Sequence, residues 1–316
     1  MAKYTFLIPA YKNAFLKDAI NSILNQTYQN FSILISNDNS PEDLKSTVNS
    51  FNDQRIIYRC NKVNIGGASL VMHWNLLLTL CNTEFVIMAS DDDLYSPYFL
   101  EEIDKLTNRY PQINVFRART QRINNESDIT SKEDIFEEYQ DGISALHSIF
   151  CGNYIGCIGN YVFNCNALKK TGGYVDLPYA WFSDMLTVIT LLEKGQANTN
   201  KTLFSFRLSD KNISNTKQNR NVDLYKLKAT ILFDELLSNY ISHLHVATNK
   251  VLYTRYLEEI ISNYKHRVYG QCGDYSWSIT PFSWYHCIYK QLKGNTYFSS
   301  KSFLKYFFFS ILNRIF

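Results

Sequence analysis

Three consecutive carboxylates, Asp91-Asp92-Asp93, follow the apolar run Val86-Ile87-Met88-Ala89 and the polar Ser90, and they precede Pro97, where a helix can begin. An apolar run of that length suits a strand buried on both faces, as in a parallel sheet. Adjacent carboxylates repel one another unless a cation or solvent offsets their charge. Mg2+ and Mn2+ favour carboxylate oxygens and are commonly completed by substrate phosphates. Strand ends are also where open α/β sheets place their ligands. Taken alone, the acidic run favours a solvated turn with an Asp helix cap. The other chemistry-bearing residues shift that balance.

Those residues fall at comparable places in the chain. Tyr4 to Ile8 has the pattern of a buried strand ended by Pro9-Ala10-Tyr11. Asn13 is placed to cap the helix that follows, with Phe15, Leu16, Ala19, Ile20, Ile23 and Leu24 at helical spacing. Phe31 to Ser36 is a second strand closing in Asn37-Asp38-Asn39, and Ser40-Pro41 then has the form of a cap and a first-turn proline. Arg55 to Cys60 is a third strand, and Asn64-Ile65-Gly66-Gly67 turns into a helix running to about Leu80. This alternation predicts a doubly wound, mostly parallel sheet with helices on both faces. Three strand ends on one edge then bring together an aromatic ring able to stack on a base, a lone carboxylate and a cation site. Together they suit a nucleotide carrying a diphosphate.

Composition narrows the alternatives. The 316 residues have a net charge of +3, too mild to argue for nucleic acid, and no arginine-rich arm. Seven cysteines are scattered without a C-x-x-C pair, and Met1–Pro9 has no signal-peptide pattern. Free thiols in a reducing cytoplasm are the expectation. Gly66-Gly67 lacks the spacing of a dinucleotide fingerprint and the Lys-Ser/Thr of a P-loop, so a tight turn is expected. No uninterrupted apolar run reaches the length of a membrane span.

The motifs Phe6–Asn13, Ser22–Tyr28, Ser36–Ser40 and Ser90–Asp93, in this order and spacing, resemble the GT-A-fold glycosyltransferases of family two. The resemblance resumes at Gly156–Asp184 and fades after about residue 215. It implies an inverting enzyme that uses a nucleotide-sugar donor, UDP by preference, with Mn2+ or Mg2+ on the diphosphate. Carried over by position, Asp38 holds the base or ribose, Pro9 and Tyr11 line the base pocket, and Asn64 and Asn75 lie near the donor. Asp92 is the metal ligand, Asp91 serves ribose or metal, and Asp93 stands beside the metal or the acceptor. Asp184 is the catalytic base, and Trp181 stacks on an acceptor sugar or packs in the core. Where the loop after Arg207 closes on substrate, Arg207 or Lys211 touches the donor diphosphate, and solvated charges are an equal reading. Asn37 and Ser183 stand where the family commonly has acids, which keeps open a catalytically silent binder of nucleotide sugars or glycans. A nucleotidyltransferase is a third possibility, without support after Gly156.

Residues 1–215 are therefore expected to form the GT-A domain, and 216–316 a helical extension. Asn124–Lys132 reads as a polar loop, and Ile158–Asn164 as a strand. In the last segment Phe303, Leu304, Phe307, Phe308, Ile311, Leu312 and Ile315 form a stripe among Lys301, Lys305 and Arg314. Such a helix either lies in a membrane interface or docks as core, and the two stand equal. The transferred sugar is expected to be a hexose or N-acetylhexosamine. The acceptor implied by the resemblance is a lipid-linked oligosaccharide of O-antigen or capsule assembly, reached from the cytoplasm with peripheral contact through residues 298–316.

Overall fold

Strand β1 (Tyr4–Ala10) shows no polar alternation because it lies inside the sheet, hydrogen-bonded along both edges. The computed structural model describes residues 2–209, 219–247, 251–279 and 281–315. β1 runs parallel to β2 (Phe31–Asn37) on one side and to β4 (Phe85–Met88) on the other, and β2 runs parallel to β3 (Ile56–Cys60). The register sets Ala10 opposite Asn37 and Leu7 opposite Met88. The chain leaving β1, β2 and β4 therefore emerges on one edge, where the expected site residues stand. Helices α1 (Leu16–Leu24), α2 (Leu44–Asn49) and α3 (Leu70–Leu80) make the crossovers.

Beyond β4 come β5 (Leu94–Tyr95), α4 (Phe99–Arg109), β6 (Val115–Ile123), β7 (Ile129–Lys132), β8 (Tyr139–Gln140) and α5 (Gly142–Cys151). They are followed by β9 (Tyr161–Asn164), α6 (Cys165–Lys170), α7 (Ser183–Thr190) and β10 (Gln196–Arg207). The sheet order is β3-β2-β1-β4-β9-β6-β10-β5, with β7 on β6 and β8 on β10. β9 is antiparallel to both β4 and β6, so the sheet is mixed at its middle.

Several local expectations change. Asn13 does not cap α1: Phe15 holds the cap position, and the Asn13 side chain instead accepts from Thr47 Oγ1 at 2.8 Å, tying α1's approach to α2. Asp43, rather than Ser40, caps α2, accepting from Ser46 N at 3.1 Å. The polar stretch after Asn124 is a hairpin, because Asn124 Oδ1 accepts from Asp128 N at 2.8 Å and turns the chain back as β7 along β6. Residues 158–160 are a 3-10 turn that leads into β9.

Apolar side chains fill both faces of the sheet. Tyr4, Phe6, Ile8, Ile20 and Phe99 pack on one face. On the other, Leu7, Val86, Met88 and Trp74 begin a cluster that continues without a break through α5 and α7. It extends into Phe233, Ile260 and Tyr264 of α8 (Arg220–Ala247) and α9 (Val251–Ile279). Helices α10 (Pro281–Lys293) and α11 (Ser300–Ile315) complete the chain. The division between residues 215 and 216 falls outside the described residues. On α11, Phe303 is buried edge-on against Tyr269, whereas Leu304, Lys305, Phe308 and Phe309 are exposed. The side chains of Phe307, Ile311, Leu312, Arg314 and Ile315 lie outside the described residues. Among the described residues no helix is long and apolar enough to cross a membrane.

A buried charge pair locks these helices. Lys265 Nζ of α9 lies 2.5 Å from Asp234 Oδ1 of α8, and Asn295 Nδ2 donates to the other oxygen at 2.5 Å. Burial pushes the Lys265 ammonium below its usual pKa, and the Asp234 charge offsets that shift. Removing one partner strands the other charge in an apolar surround. Asp234→Ala is expected to lower unfolding free energy by about 3–5 kcal/mol. Urea denaturation followed by circular dichroism measures it, and a loss under 1 kcal/mol, of the order of an exposed pair, would contradict the lock.

Candidate active site

Asp91 joins two of the strand ends. Its Oδ2 accepts from Tyr11 N at 2.9 Å and Lys12 N at 2.8 Å, so the turn leaving β1 is fastened to the one leaving β4. Burial raises the Asp91 carboxyl to a pKa of about 6, with the neighbouring Asp92 charge adding to the effect. The Tyr11 ring, 39% exposed, stands at the mouth, and Pro9 is half-buried beside it.

Asp38 faces inward at the end of β2 and is 3% exposed. Its Oδ1 accepts from Asn61 Nδ2 at 2.7 Å and Ile65 N at 2.9 Å, and its Oδ2 accepts from Gly66 N at 2.6 Å. The carboxylate thus grips the turn into α3. Glycine is needed at 66 because a Cβ there would lie 2.8 Å from Asp38 Oδ2. Asn64 shapes the same turn, accepting from Gly67 N at 2.5 Å. His73 stands behind them with Nδ1 3.6 Å from Asp38 Oδ2, and burial holds its imidazole below the usual pKa.

The triplet divides by role. Asp93 is buried, with Oδ2 accepting from Ser90 Oγ at 2.6 Å and Oδ1 from Arg207 N at 2.8 Å. Burial raises its pKa well above the usual carboxylate range. Arg207 is fully buried, donating to the carbonyls of Asp92 at 2.9 Å and Asn124 at 2.9 Å and lying 4.2 Å from the Phe15 ring centroid. Asp93 and Arg207 therefore brace the triplet against β10 and the β6–β7 turn. Lys211 lies outside the described residues.

Asp92 is half-buried with a raised pKa, chiefly from burial; Lys12 and Arg207 are the cations that pull it back. Among the described residues no group of three or more His, Cys, Asp or Glu is gathered to enclose a metal. Asp92 with Asp91 fits instead the sparse donor set of Mg2+ or Mn2+, where one or two carboxylates suffice and phosphate and water complete the shell. Protonation-prone paired carboxylates are also the kind that gain from a cation.

The third part of the site is a strained loop. Tyr179, Ala180 and Phe182 have φ of 62°, 54° and 66°, in the left-handed region where a side chain is disfavoured. Ser183 Oγ closes the loop by accepting from Leu177 N at 3.1 Å. The loop delivers Asp184 to the second position of α7, in the first turn, where the helix dipole favours an anion. Burial outweighs this and lifts the Asp184 carboxyl to about 6, although Met185 N donates to its Oδ1 at 2.7 Å. Arg267 of α9 is the cation whose charge reaches Asp184. The buried Cys157 thiol is within reach of both the Asp93 and the Asp184 charges. Trp181 Nε1 donates to Gln271 Oε1 of α9 at 3.3 Å, and Lys226 Nζ of α8 lies 4.4 Å from the Trp181 ring centroid.

The structure therefore gathers Pro9, Tyr11, Asp91 and Asp92 at the sheet edge, places Asp38 and Asn64 beneath it, and sets Asp184 and Trp181 against the helices. Asn75 is occupied elsewhere: it donates to Tyr174 O at 2.9 Å and accepts from Tyr174 N at 2.8 Å. Trp74 packs edge-on against Tyr174. Lys12, His73, Lys226 and Arg267 were not singled out from sequence. For Lys12 a signal existed in its adjacency to Tyr11. For the residues of α8 and α9 only the tertiary packing supplies one. A separate cleft of about 570 Å3 between α3 and β3 is lined by Ser32, Ile57, Arg59 and Cys81, and contains none of the residues above.

Residues 5–172 match the sequence profile of the family described as Glycosyl transferase family 2. A 96-residue stretch is 34% identical to the Campylobacter jejuni GalNAc(5)-diNAcBac-PP-undecaprenol beta-1,3-glucosyltransferase, covering 29% of this chain and 30% of that protein. An 81-residue stretch is 35% identical to the putative colanic acid biosynthesis glycosyl transferase WcaA of Escherichia coli K12, covering 25% of this chain and 28% of that one. The matched stretches thus span under a third of these relatives' own lengths. Among solved structures, S. aureus TarS 1-349 in complex with UDP-GlcNAc superposes with a TM-score of 0.61 at 11% identity, over 99% of this chain and 92% of that one. The Pyrobaculum calidifontis mannosyltransferase PcManGT in complex with GDP-Man and Mn2+ gives 0.54 at 12% identity, over 99% and 87%. At these identities the likeness is one of fold.

Proposed function

The chain belongs to glycosyl transferase family 2, with a GT-A type α/β fold, and from that premise we propose an inverting, metal-dependent transfer of a hexose or N-acetylhexosamine from a nucleotide diphosphate sugar to a carbohydrate hydroxyl. The observation that carries this proposal is Asp91 tying the turns leaving β1 and β4 together beside Asp92 at the sheet edge, and the buried Asp184 in the first turn of α7 supports it. Tyr11 and Pro9 form the mouth in which the nucleoside seats, and the turn held by Asp38 and Asn64 forms its floor. Asp91 and Asp92 are the residues that would hold Mn2+ or Mg2+. When bound, the cation offsets negative charge gathering on the departing diphosphate.

Asp184 takes the proton from the acceptor hydroxyl as that oxygen bonds to the anomeric carbon, and the nucleoside diphosphate leaves from the opposite face. A pKa of about 6 keeps this carboxylate ionised near neutrality yet basic enough to accept the proton. Asp93 and Arg207 act by positioning the pair. The two departures from the family pattern have structural partners: Asn37 Nδ2 donates to Tyr58 Oη at 2.9 Å, and Ser183 holds Leu177 N. Neither favours a catalytically silent binder. UDP is the proposed nucleotide, in keeping with the ligand of TarS, and thermal shift against UDP, GDP and dTDP sugars with Mn2+ tests it. A UDP sugar should give the largest stabilisation; no response to any of them would overturn the proposal.

The name of the Escherichia relative supports a role in polysaccharide biosynthesis, and that of the Campylobacter relative an undecaprenyl-diphosphate-linked acceptor. Such an acceptor is reached at a membrane, and α11 offers Phe308 at 59% and Phe309 at 48% exposure beside exposed Lys305 and Leu304. We propose peripheral contact through this face of residues 298–316. Replacing Phe308 and Phe309 with Ser should weaken co-sedimentation with anionic phospholipid vesicles about tenfold, the scale of one to two kcal/mol of apolar burial. Unchanged sedimentation would remove the membrane contact while leaving the transfer chemistry intact.

A further inference from the structure

Lys226 of α8 is the unexplained charge beside the site. It is 6% exposed, so nearly all of the side chain is enclosed. Its Nζ lies 4.4 Å from the Trp181 ring centroid and 6.0 Å from those of Tyr179 and Tyr275. Two of these rings come from the strained loop that carries Asp184, and the third from α9. Trp181 is oriented from below by Gln271, which also accepts from Thr230 Oγ1 of α8 at 3.3 Å. Among the described residues, Lys226 Nζ has no hydrogen-bond acceptor and no carboxylate within ion-pair distance. Asp223, one turn earlier on α8, reaches it only through space.

The stem is enclosed while the ammonium keeps an opening to solvent, and aromatic faces give a cation only part of what a paired anion would. Burial accordingly holds the Lys226 pKa below its usual value. The rings supply flat apolar faces of the kind that stack on sugars, and the ammonium among them lacks an anion. We propose that Lys226, with Trp181, Tyr179 and Tyr275, forms an acceptor subsite for a saccharide bearing an oxyanion, a carboxylate or a phosphate. This rests on the assignment of the Asp184 loop as the acceptor side. Stacking on Trp181 would orient the sugar ring, and Lys226 would complete its missing contact with the substituent. The hydroxyl that reacts would then be presented toward Asp184, three residues after Trp181 in the first turn of α7. Other charges facing this space are Asp223 on α8 and Arg267 and Asp274 on α9.

Saturation-transfer NMR on the full chain with UDP and Mn2+ tests this directly. The probes are methyl β-glucoside, methyl β-glucuronide and glucose 6-phosphate, against wild type, Lys226→Met and Lys226→Arg. Wild type should bind at least one charged probe about tenfold more tightly than the neutral one, the scale of a charge-assisted hydrogen bond. Preference for the glucuronide assigns a carboxylate, and preference for the sugar phosphate assigns a phosphate. Lys226→Met should reduce that ratio to near one, and Lys226→Arg should retain most of it, which separates lost recognition from lost folding. A ratio unchanged in Lys226→Met, or a wild type that binds the neutral probe equally well, overturns the inference. Nucleotide binding by the wild type is read separately. Its absence would remove the transferase proposal while a Lys226-dependent charge preference still stood as a glycan site; its presence without that preference would remove this inference alone.

Discussion

Asp184→Asn should lower sugar transfer by about 10²–10⁴-fold, the range a positioned general base contributes, while nucleotide-sugar binding measured by thermal shift stays at the wild-type level. The substitution keeps the shape of the side chain and an oxygen able to accept from Met185 N, so α7 and the strained loop are preserved. What it removes is the capacity to take a proton. The pH profile gives an independent readout. Burial raises the Asp184 carboxyl to about 6, so it is ionised and active above that value and protonated below it. With metal saturating, transfer should fall about tenfold per pH unit below 6 and level off above. Arg267 on α9 and the Cys157 thiol are the groups whose charge or titration bears on it; the thiol's own pKa is pushed well above its usual value by burial and stays neutral in this window. Residual transfer by Asp184→Asn should lose that limb, and a variant that transfers at the wild-type rate would remove Asp184 as the base.

Asp92→Ala is the second large loss, expected at about 10³-fold or more in metal-stimulated turnover, since charge offset at a departing diphosphate is worth several kcal/mol. The position tolerates removal structurally. Asp93 and Arg207 make the contacts that fasten the triplet to β10, and Asp91 makes those that fasten it to β1, so losing the Asp92 carboxylate leaves the brace standing. Asp93→Ala should behave differently, lowering stability as well as turnover, because Arg207 N and Ser90 Oγ are then left without their acceptor.

The sheet edge was legible from sequence because its signals are local. An apolar run without alternation means a strand buried on both faces, and three such runs ending in Tyr11, Asp38 and Asp91–Asp93 converge in any parallel sheet. Arg207 was harder, since an arginine is ordinarily placed at a surface. Its burial depends on carbonyls from the β6–β7 turn, more than 80 residues earlier. The antiparallel insertion of β9 between β4 and β6 has the same long-range origin. Asp184 was placed by resemblance, yet what surrounds it is supplied by α8 and α9. Lys226 and Arg267 approach Trp181 and Asp184 only because the apolar cluster of the sheet continues into those helices. Sequence separation concealed that contact, so the helical extension resembled an appendage although α8 and α9 pack directly on the loop that carries Trp181 and Asp184.

The central claim is tested most directly by release of nucleoside diphosphate from UDP-GlcNAc and UDP-glucose, measured with Mn2+, with EDTA, and with Asp92→Ala. Wild type should release UDP from at least one donor with Mn2+, lose that activity in EDTA, and regain it on adding metal back, while Asp92→Ala stays near background throughout. Equal release by wild type and Asp92→Ala, or release indifferent to EDTA, would contradict the assignment of Asp92 as the residue that holds the metal on the diphosphate.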